Sequence, residues 1–212
     1  MNMMLEQSGV EADRESDGFL KGLAVATVVD NEDPEGLARV RVLLPWQEEG
    51  QQSYWARIAV PMAMGTRGVY FLPEVDDEVL VGFDRGDPTH PYVIGALWNG
   101  QNTPPVDNGD GKNDSRMIRS RAESELHFFD GDKPSVELLL KDGKHLLMDD
   151  NGILLEDGQG NSFQIETSSG AMKLKCTGAM ELEGQSVTIK GTTVEVNGSS
   201  SLTLKGGMVL IN

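Results

Sequence analysis

The chain has 212 residues, of which 34 are acidic and 18 are lysine or arginine, so its formal net charge is −16 at pH 7. Nucleic-acid binding depends on neutralising phosphates with lysine and arginine, and no segment here is basic, so the charge argues against a nucleic-acid partner. The length allows one sizeable domain and a repeat. The one cysteine, Cys176, excludes an internal disulfide.

The composition of the N-terminal residues does not predict a signal peptide. Residues 1–18 are polar and acidic after Met3, Met4 and Leu5, without the basic and apolar regions of a signal peptide. No apolar run reaches the length of a membrane span. We therefore predict a flexible acidic segment over residues 1–18 and a protein that is made and folded in a cytosol.

The following eighty residues predict a small closed β-barrel. Helix signals are nearly absent, and Asp-Pro-Glu-Gly at residues 33–36 and Arg-Gly-Asp-Pro at residues 85–88 are turn signals. Five or six short strands in this length favour closure, which removes unpaired strand edges. The strand candidates are residues 22–30, 37–44, 54–60, 68–72, 78–83 and 91–97.

The last fifty residues form a β-repeat in which apolar and polar residues alternate in short runs every seven or eight residues. A period of two is typical of a strand. Glycine-containing breaks at residues 177–178, 184–185, 197–198 and 206–207 are expected to supply positive φ at sharp corners. The apolar positions are the predicted core: Phe163, Ile165, Met172, Leu174, Cys176, Met180, Leu182, Val187, Ile189, Val194, Val196, Leu202 and Leu204.

The repeat is too narrow to bury this core within one chain. Single-chain β-helices use roughly twenty residues per turn, whereas steps of seven or eight fit three chains that wind into a triangular prism. We therefore predict an intertwined trimer, with Cys176 as a buried structural thiol on the same face as Leu174. The alternative is an ordinary antiparallel meander, although meanders usually have two-residue Asn-Gly or Asp-Gly turns between longer strands.

Several spaced motifs carry a family resemblance. Residues 36–46, 55–61 and 73–99 closely resemble the OB-fold of the central spike proteins of contractile injection machines. This family includes phage baseplate assembly protein V, the needle part of the phage tail lysozyme, and VgrG of type VI secretion. Residues 116–121, 126–130 and 144–150 resemble the linker and first repeats that follow the OB-fold in these spikes.

The resemblance implies an all-β architecture and a mechanical role. It implies an OB-fold over residues 19–100, a linker with first strands over 101–135 and a trimeric β-helix over 136–212. The implied function is a homotrimeric spike at the centre of a baseplate, which punctures an envelope, contacts the target membrane transiently and has no catalytic activity. The implied partners are a baseplate hub protein at the OB-fold end, a PAAR-repeat protein at the C-terminal tip, and effector cargo as an optional passenger.

The apolar C-terminus supplies the tip positions. Three copies around one axis would form a patch that a PAAR-repeat partner covers, and the residues are Met208, Val209, Leu210, Ile211 and Asn212. The C-terminus has no histidine, so we expect no metal tip of the kind that some short phage spikes carry.

The chain also departs from its larger relatives. VgrG proteins carry hub domains before the OB-fold, whereas residues 1–18 precede it here, so we expect a separate hub protein. The phage tail lysozyme inserts a muramidase where this chain has a loop at residues 101–115.

Candidate residues for chemistry are few. The histidines have no metal-ligand spacing, and the acidic segments 149–152 and 156–160 lack the spacing of calcium loops. The carboxylates at residues 74–78 are assigned to a solvated loop. The tryptophans have no basic neighbours in this interpretation and are assigned to barrel core and trimer contacts. We expect no catalytic residue, metal or cofactor; the residues weighed are His90, His127, His145, Trp46, Trp55 and Trp98.

A competing hypothesis is an enzyme. A β-solenoid polysaccharide-degrading enzyme, or a tail-fibre depolymerase, would need a long groove with acidic and basic residues aligned on one face. The outward residues of this repeat are lysine, glutamate and threonine without a cluster. The structural spike is therefore the favoured interpretation.

Overall fold

The computed structural model describes residues 22–48 and 50–211. Within them the regular structure is all β apart from one 3₁₀ turn at Asp84–Gly86, which confirms the predicted class. No helix in these residues is long and apolar enough to cross a membrane. The chain divides into two compact units, one up to Asp107 and the other from Asn108. The predicted N-terminal segment, residues 19–21, Glu49 and Asn212 lie outside the described residues.

The first unit contains a five-stranded sheet that closes on itself. Its strands are β1 (Ala24–Asp30), β2 (Arg41–Leu43), β3 (Arg57–Ile58), β6 (Glu78–Phe83) and β7 (Pro91–Ala96), in the order β2-β1-β6-β7-β3. An antiparallel bridge between Val40 and Ala56 joins the two outer strands. Closure satisfies both sheet edges, so the predicted barrel is confirmed.

Alternating side chains of these strands form the core. In β1 the buried residues are Ala24, Ala26 and Val28, which alternate with more exposed neighbours. Small β-branched residues suit the narrow interior of a barrel. The fully buried valines are Val28, Val40, Val42, Val79, Val81 and Val93.

Several predicted strands are shorter than the sequence suggested. Only Arg57–Ile58 of the candidate at residues 54–60 is a strand. The candidate at 68–72 contributes Gly68 to a two-stranded hairpin, β4 (Ala63–Met64) with β5 (Arg67–Gly68). Apolar residues there are exposed, so alternation over-predicted strand length where no neighbouring strand was available.

The turn at residues 33–36 is held by an ion pair. Arg39 donates from Nε and Nη2 to the two carboxylate oxygens of Asp33, at 2.8 and 2.7 Å. The backbone N–H groups of Glu35 and Leu37 also donate to this carboxylate. The hydrogen bonds from Arg39, followed by those from the backbone, hold the pKa of Asp33 well below its usual range.

This ion pair predicts a pH-dependent stability. A depressed carboxylate pKa adds stability above the unfolded-state pKa of about 3.9, and that stability is lost as the pH falls through the folded-state pKa. Asp33→Asn is therefore expected to lower the Tm at pH 7, with the difference from the parent shrinking below about pH 4. Circular dichroism melts between pH 2 and 7 test this, with Glu32→Gln in the same loop as control. A difference that is constant with pH would contradict it.

The second unit begins as an antiparallel meander. Its strands are β8 (Ser115–Arg119), β9 (Glu125–Phe129), β10 (Ser135–Leu139), β11 (His145–Asp149), β12 (Gly152–Glu156), β13 (Ser162–Glu166) and β14 (Met172–Lys175). Each strand pairs with the next one in sequence. The first two segments of the predicted repeat are β13 and β14, which pair antiparallel within the chain, a pairing compatible with the predicted β-helix.

Acidic turns connect these strands. Asp149 accepts hydrogen bonds from the backbone N–H groups of Asn151 and Gly152, at 2.8 and 3.1 Å. Asp157 accepts one from Gln159 at 2.8 Å. The side-chain amides of Asn151 and Asn161, together with these backbone groups, lower the pKa values of Asp149 and Asp157. The carboxylates considered as calcium ligands therefore act inside their own turns.

Residues 176–211 contain no strand in the described single chain. Nor does any of these residues form a backbone-to-backbone hydrogen bond there. The expectation of positive φ at the glycine corners was wrong: Gly178, Gly184, Gly198, Gly206 and Gly207 have no φ in the left-handed region.

Candidate functional site: an unpartnered apolar surface

The register of the meander places most of its apolar side chains on one face, whereas Met117, Phe129, Leu139, Leu147 and Leu154 lie on the opposite face with the charged residues. Leu138 lies opposite Leu126 and Leu146, and Phe163 lies opposite Leu155 and Leu174. Every charged residue of β9 to β14 points to the other face, because side chains alternate along a strand. We call the first surface the apolar sheet face: Ile118, Leu126, Phe128, Val136, Leu138, Leu146, Met148, Ile153, Leu155, Phe163, Ile165, Met172 and Leu174.

Much of the apolar sheet face is exposed in the single chain. Leu138 is 46% exposed, Leu155 52% and Leu174 58%. No residue between 108 and 211 is buried, whereas the first unit has a complete core. A contiguous apolar surface of this extent is typical of a binding interface.

The tail continues the same pattern. Its apolar residues alternate with serine, threonine, glutamate and lysine, and their exposed fractions range from 47% at Met180 to 72% at Leu182. Backbone groups without partners in this chain are available to other strands. We call these residues the tail stripe: Met180, Leu182, Val187, Ile189, Val194, Val196, Leu202 and Leu204. Cys176, predicted to be buried, is exposed in the single chain.

Glycines define the register of the tail. A Cβ added to Gly191 would lie 3.0 Å from the carbonyl oxygen of Thr193, and one added to Gly206 would lie 3.2 Å from that of Met208. At these two glycines a side chain would therefore crowd a carbonyl oxygen, and neither glycine has a φ in the left-handed region. The same Cβ positions lie near the valine three residues on, Val194 and Val209 respectively. Val209 is thus the equivalent of Val194 in the last repeat.

This register divides the predicted tip residues into two faces. Val209 and Ile211 continue the tail stripe, whereas Met208 and Leu210 occupy positions that hold Ser201 and Thr203 in the preceding repeat. Met208 and Leu210 are each 79% exposed. Apolar side chains therefore lie on both faces at the end of the chain.

The histidines lie apart from one another or against carboxylates. His145 is mostly buried on the polar face of the meander, with Nε2 3.7 Å from Glu137 and Nδ1 3.6 Å from Glu156. His90 lies in an exposed turn 3.0 Å from Asp87. In the part of the chain that the structure describes, no group of three acidic, histidine or cysteine side chains could hold a metal ion.

Sequence reasoning missed the surroundings of one tryptophan. The guanidinium of Arg41 lies 4.7 Å from the centre of the Trp55 ring, and that of Arg39 lies 5.8 Å from it. The statement that the tryptophans lack basic neighbours is therefore wrong for Trp55. Alternation at residues 39 and 41 was the available signal, because it places both arginines on one side of their strand.

The comparisons with known proteins agree with the barrel geometry. Residues 24–98 match the family model described as the type VI secretion system/phage-baseplate injector OB domain. This stretch of the first unit is similar to the injector OB domain. The predicted OB-fold and the resemblance to the central spike proteins are thereby confirmed.

Curated relatives match part of this chain. A 92-residue stretch is 34% identical to the actin cross-linking toxin VgrG1 of Vibrio cholerae, covering 40% of this chain and 8% of that protein. The identity to the type VI secretion system spike protein VgrG3 of Vibrio cholerae is also 34%, covering 40% and 9%. Spike protein VgrG4b of Pseudomonas aeruginosa is 38% identical over 73 residues, covering 32% and 9%. The match therefore spans less than a tenth of each of these relatives.

Proposed function

We propose that the protein is a homotrimeric structural spike at the centre of an injection-machine baseplate. Its OB domain faces the baseplate hub, and residues 108–212 form the shaft that punctures the target envelope and touches the membrane transiently. The matching injector OB domain supports the baseplate context. The protein acts mechanically, without a catalytic residue or cofactor.

One observation carries this proposal: the second unit has no buried residue, although it contains a continuous apolar face. A seven-stranded sheet without a core cannot offset the conformational entropy lost on ordering its residues. Burial of each half-exposed aliphatic side chain of the apolar sheet face and tail stripe contributes about 1–2 kcal/mol. Partner chains that cover these surfaces therefore supply the missing core.

Copies of the same chain are the simplest partners that could cover the apolar sheet face and the tail stripe. Three apolar sheet faces enclose one triangular core. Residues 176–211, which have no backbone partner in their own chain, pair with the same residues of the other two chains. A closed ring of three identical contacts leaves no free edge along the shaft. The resulting prism resists bending and local opening under load, as puncturing requires.

The trimer gives the first test of the function. Light scattering at micromolar concentration is expected to give three times the 23.0 kDa mass of one chain. The mass should persist on dilution, because separating the chains exposes the whole core. A monomeric mass would contradict the intertwined shaft. A monomeric mass together with release of sugars from envelope polysaccharide would favour the competing polysaccharide-degrading enzyme.

At the tip we propose a PAAR-repeat partner. Val209 and Ile211 extend the trimer core, so the outward Met208 and Leu210 remain for the partner, which needs an apolar base of threefold repeat. Effector cargo would travel with this partner or on the tip. Assembly takes place in the cytosol, and the spike acts outside the producing cell.

The tip proposal predicts a separation of binding from assembly. Met208→Ser with Leu210→Thr gives the last repeat the outward chemistry of the preceding one, because those positions hold Ser201 and Thr203. This variant is expected to remain trimeric and to bind the PAAR-repeat partner at least tenfold more weakly. Calorimetric titration measures the loss, with Ser201→Thr as the outward control. Unchanged binding would remove these two residues from the tip interface.

A further inference from the structure

The OB domain carries an apolar groove that the proposed shaft, residues 108–212, does not explain. The groove lies between the β4–β5 hairpin and the barrel and has a volume of about 1340 Å³. Its aromatic lining includes Tyr54, Trp55, Tyr70, Phe71 and Tyr92. Tyr54 is 62% exposed and Tyr70 72%. Small-molecule pockets are usually about 300–1000 Å³, so the groove is large enough for a polypeptide segment.

The unpaired charges of this groove are opposite in sign to the net charge of the chain. Its charged lining residues are Arg39, Arg57 and Arg67, none of its lining residues is acidic, and Arg39 is paired with Asp33 and Glu35 outside the lining. Elsewhere the chain has 34 acidic residues. In the described part of the chain, Arg57 and Arg67 have no carboxylate partner, and the Arg57 guanidinium lies 5.8 Å from the Tyr92 ring centre. Arginine, tyrosine, tryptophan and methionine are the residues enriched at protein interfaces.

The N-terminal segment of the chain has the complementary composition. It begins with an apolar cluster, Met3, Met4 and Leu5, and continues with Glu6, Glu11, Asp13, Glu15 and Asp17 against one arginine, Arg14. A nucleic acid is a poor alternative occupant, because the net charge of −16 repels it. The segment therefore offers the carboxylates that the groove lacks, together with apolar side chains that can pack on its apolar lining.

The segment is also long enough to reach the groove. It joins β1 just before Ala24, and a domain of this size is about 30 Å across. An extended chain spans about 3.3 Å per residue, so the four residues 18–21 reach about 13 Å. Ala24 pairs with Val81 and Val81 with Val93, so the start of β1 lies about 10 Å from β7, the strand whose first two residues line the groove.

We propose that residues 3–17 bind in this groove, with their carboxylates on Arg57 and Arg67 and their aliphatic side chains on the aromatic wall. The bound segment covers the apolar hairpin before assembly. A baseplate component that uses the same groove then has to displace it. This inference does not depend on the trimeric shaft.

Hydrogen exchange on the full chain tests the proposal. Amides at residues 60–72 are expected to exchange at least threefold faster once the segment loses its carboxylates, in the variant E11Q, D13N, E15Q. The variant Arg57→Gln should produce the same loss, because it removes the groove side of the same contact. Combining the two sets should add nothing further. High salt should reproduce part of the effect in the parent protein.

A matched control separates local binding from net charge. The variant E181Q, E183Q, E195Q removes three carboxylates from the tail and should leave exchange at residues 60–72 unchanged. Parent-like exchange in the segment variant would overturn the proposal. An equal loss of protection in the tail control would also overturn it. So would protection that survives in the segment variant and depends on protein concentration, because that result would place a second copy of the chain in the groove. The trimeric mass is measured in parallel, so failure of the spike proposal is recorded separately.

Discussion

Val194→Asp is expected to prevent formation of a stable trimeric shaft. Val194 belongs to the tail stripe, and three copies would lie near the threefold axis of the proposed prism. The substitution buries three carboxylates close together, so desolvation and like-charge repulsion both oppose assembly by at least several kcal/mol. Resistance of the trimer to SDS and its thermal midpoint measure the effect.

Outward substitutions provide the matched controls for Val194→Asp. Thr193→Asp introduces the same carboxylate one residue earlier, on the opposite face. Glu195→Ala removes a charge on that outward face and should change stability by less than about 0.5 kcal/mol. If Val194→Asp is tolerated as well as these two, the tail does not form a buried trimeric core.

Leu138→Asp is expected to dissociate the part of the shaft that β8 to β14 form. Leu138 is 46% exposed in one chain, so the substitution should cost an isolated monomer little, about 1 kcal/mol or less. In a trimer it places three carboxylates among the apolar sheet faces and costs several kcal/mol. Light scattering over a dilution series is expected to show the variant dissociating at a concentration at least 100-fold higher than the parent.

The face of the meander opposite the apolar sheet face supplies the control for Leu138→Asp. Gln164→Asp places a carboxylate on β13, where Gln164 lies opposite Lys173 on β14. This variant is expected to keep the parent's dissociation behaviour. Equal dissociation of both variants would mean that the meander unfolds in response to any added charge. Equal tolerance would mean that the apolar sheet face remains uncovered.

Local chemistry determined which residues belong to strands and turns. Period-two alternation identified the apolar positions of the tail, and the positions of Phe163, Ile165, Met172 and Leu174 coincide with β13 and β14. Asp-Pro-Glu-Gly forms a turn at residues 33–36, where the N–H of Gly36 donates to the carbonyl of Asp33. Such features depend on neighbours a few residues away, so they can be predicted from sequence.

Strand partners were decided by the tertiary structure. The same alternation suits a meander and an intertwined prism, and it could not show that β13 pairs with β12 and β14 while residues 176–211 have no partner in their own chain. The glycine corners illustrate the same limit, because a side chain at Gly191 would crowd a carbonyl two residues away, whereas the φ of Gly191 is not in the left-handed region.

The sequence by itself determined the all-β class, the barrel, the acidic surface and the apolar stripe, because each follows from composition and from the two-residue period of a strand. Only the tertiary structure decided that the second unit has no buried core and that arginines and aromatic residues from separate strands line a groove free of carboxylates. Both properties depend on which distant segments lie side by side, and hydrogen bonds between strands set that arrangement without leaving a local signal in the sequence.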